Sequence, residues 1–500
     1  MQLNLSSIEY AYPTAAQPAL RGVSATFPQG WTGIVGDNGS GKTTLALVAC
    51  NILRPDAGFV SPPLISLYCA QDATNPPSNL EDFALAYDGR AVRLRRDLVI
   101  EDDWPWRYET LSGGQQKRLQ VACVLWAEPD VLAVDEPTNH VDTATKRAIS
   151  AALKQFGGVG LLISHDRELL DVLCSQCLFV SDGTVTMRPG SYTQASSQAA
   201  RERAAATHAR EQAKKERARI ERETQRRREE ASRAAGKRSL RGVDKHDGDA
   251  RHKRRVAVVS GKDGQAGRLS SRMEGRLKNA SAKLAATRVE KRYDADIWLD
   301  ASPSRRKVLL RMEPQLLALG GEAQNGEVLS IPALHIGNTD HIGLTGNNGT
   351  GKTTLVKRIV ANLSPGTRTL YIPQEPNEAQ RTSAVATLRD LPSNKRGRAL
   401  SIVAQLNSEP ERILEGGDIS PGEMRKLMLA LGILDEPELI IMDEPTNHLD
   451  IGSTEALERV LAAYPGALLL VSHDTALIEA ATQILWHIER VDGGYILAVW

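Results

Sequence analysis

The chain repeats itself, and this constrains its fold more than any other feature. Gly36–Thr44 reads GDNGSGKTT and Gly346–Thr354 reads GNNGTGKTT. Val131–Asp142 reads VLAVDEPTNHVD and Leu439–Asp450 reads LIIMDEPTNHLD. Leu161–Asp166 and Leu469–Asp474 read LLISHD and LLVSHD. The offset is 310 residues for the first pair and 308 for the other two. Several blocks in one order at a near-constant offset mean two copies of one domain. The copies span 1–190 and 306–500, with a segment 191–305 between them. In each copy, short apolar runs such as VLAVD and LIIMD end on a polar residue. Buried parallel strands look like this when their carboxyl ends deliver functional groups. The expected class is α/β.

Gly36-x4-Gly41-Lys42-Thr43 and Gly346-x4-Gly351-Lys352-Thr353 match the phosphate-binding loop pattern, each after an apolar run and before a helical pattern. Glycines let backbone N–H groups face phosphates, and the following helix adds its positive end. The candidate ATP-contacting positions are therefore Gly36, Asp37, Asn38, Gly39, Ser40, Gly41, Lys42, Thr43 and Thr44 in the first copy. In the second they are Gly346, Asn347, Asn348, Gly349, Thr350, Gly351, Lys352, Thr353 and Thr354. Lys42 and Lys352 would reach the β/γ-phosphates, and Thr43 and Thr353 would ligate Mg²⁺. Asp135 and Asp443 end apolar runs and suit a magnesium-linked carboxylate. Glu136 and Glu444 follow at once, as candidate general bases for an attacking water.

Leu111-Ser112-Gly113-Gly114-Gln115, a Ser-Gly turn opening a helix, narrows the family. With the phosphate loop, the Asp-Glu strand end and the downstream histidine, it resembles the ATP-binding cassette superfamily. Ile419-Ser420-Pro421-Gly422-Glu423 is its counterpart. The resemblance implies two composite sites, in which the signature turn of one cassette holds the γ-phosphate bound by the other. One combines Lys42, Gln71, Asp135, Glu136 and His165 with Ser420, Gly422 and Glu423. The other combines Lys352, Gln374, Asp443, Glu444 and His473 with Ser112, Gly113, Gly114 and Gln115. Gln71 and Gln374 match the superfamily's glutamine loop, near Mg²⁺ and the water. His165 and His473 each follow their glutamate by 29 residues and would contact the γ-phosphate. Pro421 removes one backbone donor, which predicts weaker ATP binding or turnover at the site it serves. Tyr12 is the candidate adenine-stacking ring, with Tyr10 as the near alternative. The second copy has only His335 as a weak substitute.

Asn-His within DEPTNH, together with only 40 residues between Gln71 and Leu111, resembles the ABC-F branch: two cassettes on one chain and no membrane domain. The chain ends 27 residues after His473, so no coiled-coil tail is expected.

Composition agrees. Hydrophobic residues are 41% and charged residues 25%, near the globular average. No apolar run approaches the roughly 20 residues of a membrane helix, and the start lacks a signal-peptide layout. A soluble cytoplasmic protein without membrane insertion is expected. Five cysteines are too few and odd for a disulfide framework. Cys174-x-x-Cys177 has no partner pair and reads as packed thiols.

The formal net charge of +1 conceals an asymmetry. Between Arg201 and Arg292 there are 29 Lys and Arg against 13 Asp and Glu, an excess of 16. Residues 194–232 carry Ala199, Ala206, Ala213 and Ile220 every seven residues, a narrow helical seam. Residues 265–292 predict a second helix with Leu269, Met273, Leu277 and Leu284 on one side. Residues 236–264 between them read as a Gly- and Lys/Arg-rich tip. The expected form is a basic helical hairpin. Lys/Arg clusters attract phosphate backbones through counterion release, and aromatics are scarce there, Tyr293 lying only at its far end, which disfavours single-strand stacking. The ABC-F resemblance points to the ribosome, both rRNA and tRNA, with the two cassettes of a monomer pairing intramolecularly. The alternatives are the ATPase subunit of a transporter, which leaves the hairpin without a task, and a tandem cassette acting on DNA.

Overall fold

The computed structural model describes residues 1–13, 15, 17–139, 141–238, 249, 252, 262–287, 302–319, 327–408, 410–415 and 419–500. It divides into two units, one of residues 1–195 with 292–500 and one of residues 196–291.

In the first unit, the strands of cassette one are β1 (Gln2–Tyr10), β2 (Leu20–Pro28), β3 (Gly30–Gly36), β4 (Ala57–Ser61), β5 (Ser66–Cys69), β6 (Val131–Asp135), β7 (Val159–Ile163), β8 (Cys174–Ser181) and β9 (Thr184–Pro189). They form an antiparallel sheet β2-β1-β4 and a larger one ordered β5-β6-β7-β3-β8-β9. In the larger sheet β5 through β8 are parallel. Every residue of β6 and β7 is buried. That is why these strands read as unbroken apolar runs rather than alternating ones. The strands of cassette two are β10 (Val308–Met312), β11 (Gln315–Ala318), β12 (Val328–Ile331), β13 (Leu334–Gly337), β14 (His341–Gly346), β15 (Thr369–Ile372), β16 (Leu439–Asp443), β17 (Ala467–Val471), β18 (Ile484–Val491) and β19 (Gly494–Val499). They form a pair β10-β13 and a sheet ordered β11-β12-β19-β18-β14-β17-β16-β15. The central order β15-β16-β17-β14-β18 repeats β5-β6-β7-β3-β8, so the sequence repeat is a repeat of topology. In both copies the phosphate-loop strand sits between the histidine strand and the one that follows it. Its carboxyl end therefore opens beside the Asp-Glu strand ends, where open α/β sheets bind ligands.

The second unit is built on two helices. Tyr192–Arg238 begins in the first unit and runs on, and Lys262–Ala286 follows. Both start earlier than the periodicity predicts, the first also ends later, and the second ends before 292. Gly264 and Gly267 lie inside the second helix, at a cost of about 1 kcal/mol each against alanine. The helices are antiparallel: Lys283 pairs with Glu216 at 3.2 Å and Arg228 with Glu274 at 2.9 Å. Thr224 is buried between them, donating to Ile220 O at 2.7 Å. Of the predicted seam, Ala199, Ala213 and Ile220 are buried, but Ala206 and Leu269 are exposed. Thr224, Ser270 and Ala280 are also buried, and small residues of this kind let two helices approach closely. The tip at 236–264 falls mostly, and Tyr293 wholly, outside the described residues.

Candidate functional site

One cavity of about 1600 Å³ opens between the carboxyl ends of the two sheets. It is lined by Tyr12, Asp37 through Thr44, Gln71, Asp135, Glu136 and His165 from the first cassette. From the second come Asn348, Gly349, Gly351 through Thr354, Gln374, Ser420, Pro421, Gly422, Asp443, Glu444 and His473. Gly36, Gly346, Asn347 and Thr350 lie in the same loops just behind the lining.

Each phosphate loop ends on a left-handed glycine that caps its helix, Gly41 at φ 102° and Gly351 at φ 93°. Only glycine adopts this conformation without strain. Lys42 Nζ donates to Gly36 O and Asp37 O, both at 2.9 Å. Lys352 Nζ donates to Gly346 O at 2.7 Å and Asn347 O at 3.0 Å. Burial lowers the pKa of both lysines, so an arriving anion would stabilise their charged form. Thr43 Oγ1 donates to Asp135 Oδ2 at 2.8 Å, and Thr353 Oγ1 to Asp443 Oδ2 at 3.0 Å. This hydroxyl–carboxylate pair is a hard-oxygen donor set. Among the described residues no three His, Cys, Asp or Glu side chains gather into a cage. Mg²⁺ is commonly held by one or two carboxylates together with substrate phosphates, and this set fits that arrangement.

Glu136 and Glu444 both have left-handed backbones, φ 45° and 48°. Strain of this kind persists where its surroundings fix it, and here each amide donates across to the histidine strand, at 2.9 Å to Ile163 O and 2.8 Å to Val471 O. Burial, then Asp135, pushes Glu136 up to about 8. Burial pushes Glu444 up to about 7. Burial, then the neighbouring lysine, lowers His165 to about 3 and His473 to about 4. The histidines are thus neutral near pH 7. The contacts His165 Nε2–Glu136 Oε1 at 3.4 Å and His473 Nε2–Glu444 Oε1 at 3.6 Å are therefore not ion pairs there. Both Oε1 atoms are buried without a hydrogen-bond partner. A buried acceptor left open costs about 1–3 kcal/mol, and a hydrogen-bonding water would satisfy it.

The signature turns differ from the expectation. Ser112 and Ser420 each cap their helix in a capping box, with Gln115 Oε1 accepting from Ser112 N at 2.9 Å and Glu423 Oε2 from Ser420 N at 3.0 Å. Gln115 and Glu423 are occupied as caps, and neither lines the cavity. Ser420, Pro421 and Gly422 face it, whereas Ser112, Gly113 and Gly114 are not among its lining residues. The Lys42 half of the pairing is assembled further than the Lys352 half. Asp450 Oδ2 accepts from Asn38 N at 3.2 Å, and Asn407 Nδ2 donates to Asp37 Oδ1 at 3.1 Å. Tyr12 lines the cavity with its hydroxyl 3.1 Å from Thr44 Oγ1 and its ring edge-on to Tyr10. His335 is exposed on β13 and outside the lining.

Several contributors were not read from the motifs. Tyr68 OH donates to Asp135 Oδ2 at 2.9 Å, steadying that carboxylate. Lys117 donates to Ala70 O and Gln71 O at 2.8 and 2.9 Å, holding the glutamine loop. Its counterpart Arg425 donates to Glu444 O and Asn447 O at 2.9 and 2.8 Å. The signal was available: each signature helix carries a pair of cations at a repeated position, Lys117-Arg118 and Arg425-Lys426. All five cysteines are buried and free.

No helix among the described residues is long and apolar enough to cross a membrane. The family model described as "ABC transporter" matches residues 20–139 and 329–447. The ribosome protection protein VmlR of Bacillus subtilis is 28% identical, covering 94% of this chain and 84% of VmlR. The tylosin resistance ATP-binding protein TlrC of Streptomyces fradiae is 27% identical, covering 88% and 89%. The archaeal ribosome recycling factor aABCE1, solved with stalk protein aP1, shares the fold at TM-score 0.62 and 16% identity, covering 98% of this chain and 89% of that one. The chain carries two ATP-binding cassettes on one polypeptide and is a tandem-cassette ATPase whose relatives are ABC-F proteins.

Proposed function

We propose that this ATPase acts on the ribosome, and that ATP-driven closure of the cassettes sets the position of the basic hairpin. One observation carries the reading: both phosphate loops and the signature turn at Ser420 open into a single cavity, so a triphosphate there touches both cassettes. A ligand shifts a conformational equilibrium only by its differential affinity for the two states. ATP bridged by Lys42 and Ser420 has such a difference. ADP, lacking the γ-phosphate, does not. Thr43 with Asp135, and Thr353 with Asp443, would hold Mg²⁺, with Gln71 and Gln374 beside it; the ion's charge would neutralise the phosphates. With the charge of Mg²⁺ nearby favouring their ionised form against burial, Glu136 and Glu444 would orient and deprotonate the attacking water through their open Oε1 atoms. His165 and His473, neutral and able to donate, would hold the γ-phosphate. Tyr12 would stack on adenine.

VmlR is a ribosome protection protein by name, and MsrA of Staphylococcus epidermidis, 28% identical over 91% of each chain, is an erythromycin resistance protein. These relatives favour ribosome protection over a transporter or DNA role. The test is sedimentation of Glu136→Gln/Glu444→Gln with ATP. The variant should bind ATP, lose hydrolysis by about 10²–10⁴-fold, and travel with ribosomes. Sedimentation free of ribosomes, or with membranes or DNA, would overturn the reading.

A further inference from the structure

The two cassettes are not connected symmetrically. The helix Ile451–Ala462 of the second cassette starts at Asp450, which accepts from the amide of Asn38 in the first phosphate loop. Further along the same helix, Glu458 pairs with Arg167, whose Nη1 donates to Oε2 at 3.2 Å. Arg167 lies two residues after His165 and opens the helix Arg167–Leu173. One turn earlier, Glu455 accepts from Tyr192 OH at 3.3 Å. Tyr192 is the first residue of the long helix that continues into the hairpin, and it is buried in the first cassette's core together with Ile451. A single rigid helix therefore touches the phosphate loop at Lys42, the histidine segment beside it, and the root of the hairpin.

The repeat provides a built-in control. The positions matching Glu455, Glu458 and Arg167 are Arg147, Ser150 and Thr475, and among the described residues these make no such bridge. Asp142, the match of Asp450, accepts from Thr145 on its own helix at 2.8 Å and not from the second phosphate loop.

We propose that the helix Ile451–Ala462 couples the nucleotide site on Lys42, and not the site on Lys352, to the hairpin root through Arg167–Glu458 and Tyr192–Glu455. Glu455 and Glu458 are positioning residues: they act through Tyr192 and the His165 segment without touching nucleotide. The inference rests on ATP-driven closure but not on the ribosome as partner.

The experiment uses full-length protein alone, with fluorophores on Arg54→Cys and Lys278→Cys, the native cysteines being buried. Energy transfer is read with and without ATP. The ATP-dependent change should persist in Lys352→Ala and vanish in Lys42→Ala. Glu455→Gln/Glu458→Gln should shrink it about fivefold or more, the lower end of usual coupling. Energy transfer is compared at saturating ATP, and binding of a fluorescent ATP analogue confirms that the Lys42 site is occupied in both proteins, since coupling is reciprocal and its loss can also move ATP affinity. Exchanging the charges, Arg167→Glu with Glu458→Arg, should restore part of the change, and Tyr192→Phe serves if the paired glutamines unfold the protein. Equal dependence on Lys42 and Lys352, or an undiminished change in the glutamine pair, overturns the one-sided coupling and leaves closure standing. No change in the parent protein sinks closure itself, and the coupling with it.

Discussion

Trp31 and His341 occupy the same place, the start of the phosphate-loop strand, and are held in opposite ways. Trp31 is buried, donates from Nε1 to Leu153 O at 2.9 Å, and packs on Phe156 with ring centres 5.6 Å apart. Directly across on β7 stands Gly160, where a β-carbon would overlap the indole. In cassette two, His341 faces Leu468 across the same pair of strands. Its ring nitrogens meet Ala481 O at 2.9 Å, Tyr464 O at 3.0 Å and Gly466 O at 3.1 Å. One copy fills the site with a large ring over a glycine. The other uses a smaller ring beside a leucine and sets its two nitrogens against three backbone carbonyls. The backbone is shared because the pair, not the single residue, meets the packing requirement. The cassettes are thus alike where phosphate chemistry acts and free to diverge where only volume and hydrogen bonding must be satisfied.

The strongest break of that likeness comes at the glutamates. Glu136→Gln and Glu444→Gln made singly should each remove about 10²–10⁴-fold of turnover at their own site. Single-turnover hydrolysis in each variant then reports the other site alone. Equal residual rates would mean the divergence at the signature turns has no catalytic consequence. The less fully assembled Lys352 half and the proline in the other half both predict unequal ones.

At the strand root, Gly160→Leu alone should cost about 3 kcal/mol from overpacking. Trp31→His alone should cost about as much, from the space it leaves. Together they reproduce the second cassette's pair, and the double variant should recover about 0.5–3 kcal/mol of the summed loss. Urea unfolding followed by circular dichroism measures all three. Strict additivity would show that the two positions do not compensate each other.

What the sequence made legible follows from chain locality. A phosphate loop, an Asp-Glu strand end and a capped signature turn are contiguous because their chemistry requires neighbouring backbone amides or adjacent side chains. Tyr68, Asn407, Arg167 and Glu458 act through contacts between segments 67 to 370 residues apart, and no spacing rule announces them. In the hairpin the helical spacing found both helices, but Ala206 of the seven-residue seam and Leu269 of the second helix are exposed. A seam of small side chains leaves several faces nearly equal in hydrophobicity, so periodicity does not choose among them. Gln115 and Glu423 were read as ligands, yet the geometry that places a serine at a helix N-terminus also places the third residue on as its capping partner.

Adenine recognition gives a smaller contrast. Tyr12→Ala should weaken ATP at the Lys42 site by about 1–3 kcal/mol, the worth of one stacked base, and leave the Lys352 site unchanged. Equilibrium binding of ATP to Lys352→Ala and Lys42→Ala backgrounds separates the two.

The smallest expected effect concerns Pro421. It is the first residue of its helix, where proline is well tolerated because that N–H has no intrahelical partner. The same missing partner makes the N–H valuable to an anion, and Gly113, its match in cassette one, keeps it. Pro421→Gly should add one charge-assisted donor at the Lys42 site, about 1.5 kcal/mol or tenfold in ATP affinity. The reverse, Gly113→Pro, should weaken the Lys352 site to a similar degree. A gain from the first substitution without a loss from the second would mean that Ser112 never reaches the nucleotide held by Lys352, and that the cassettes pair through one composite site rather than two.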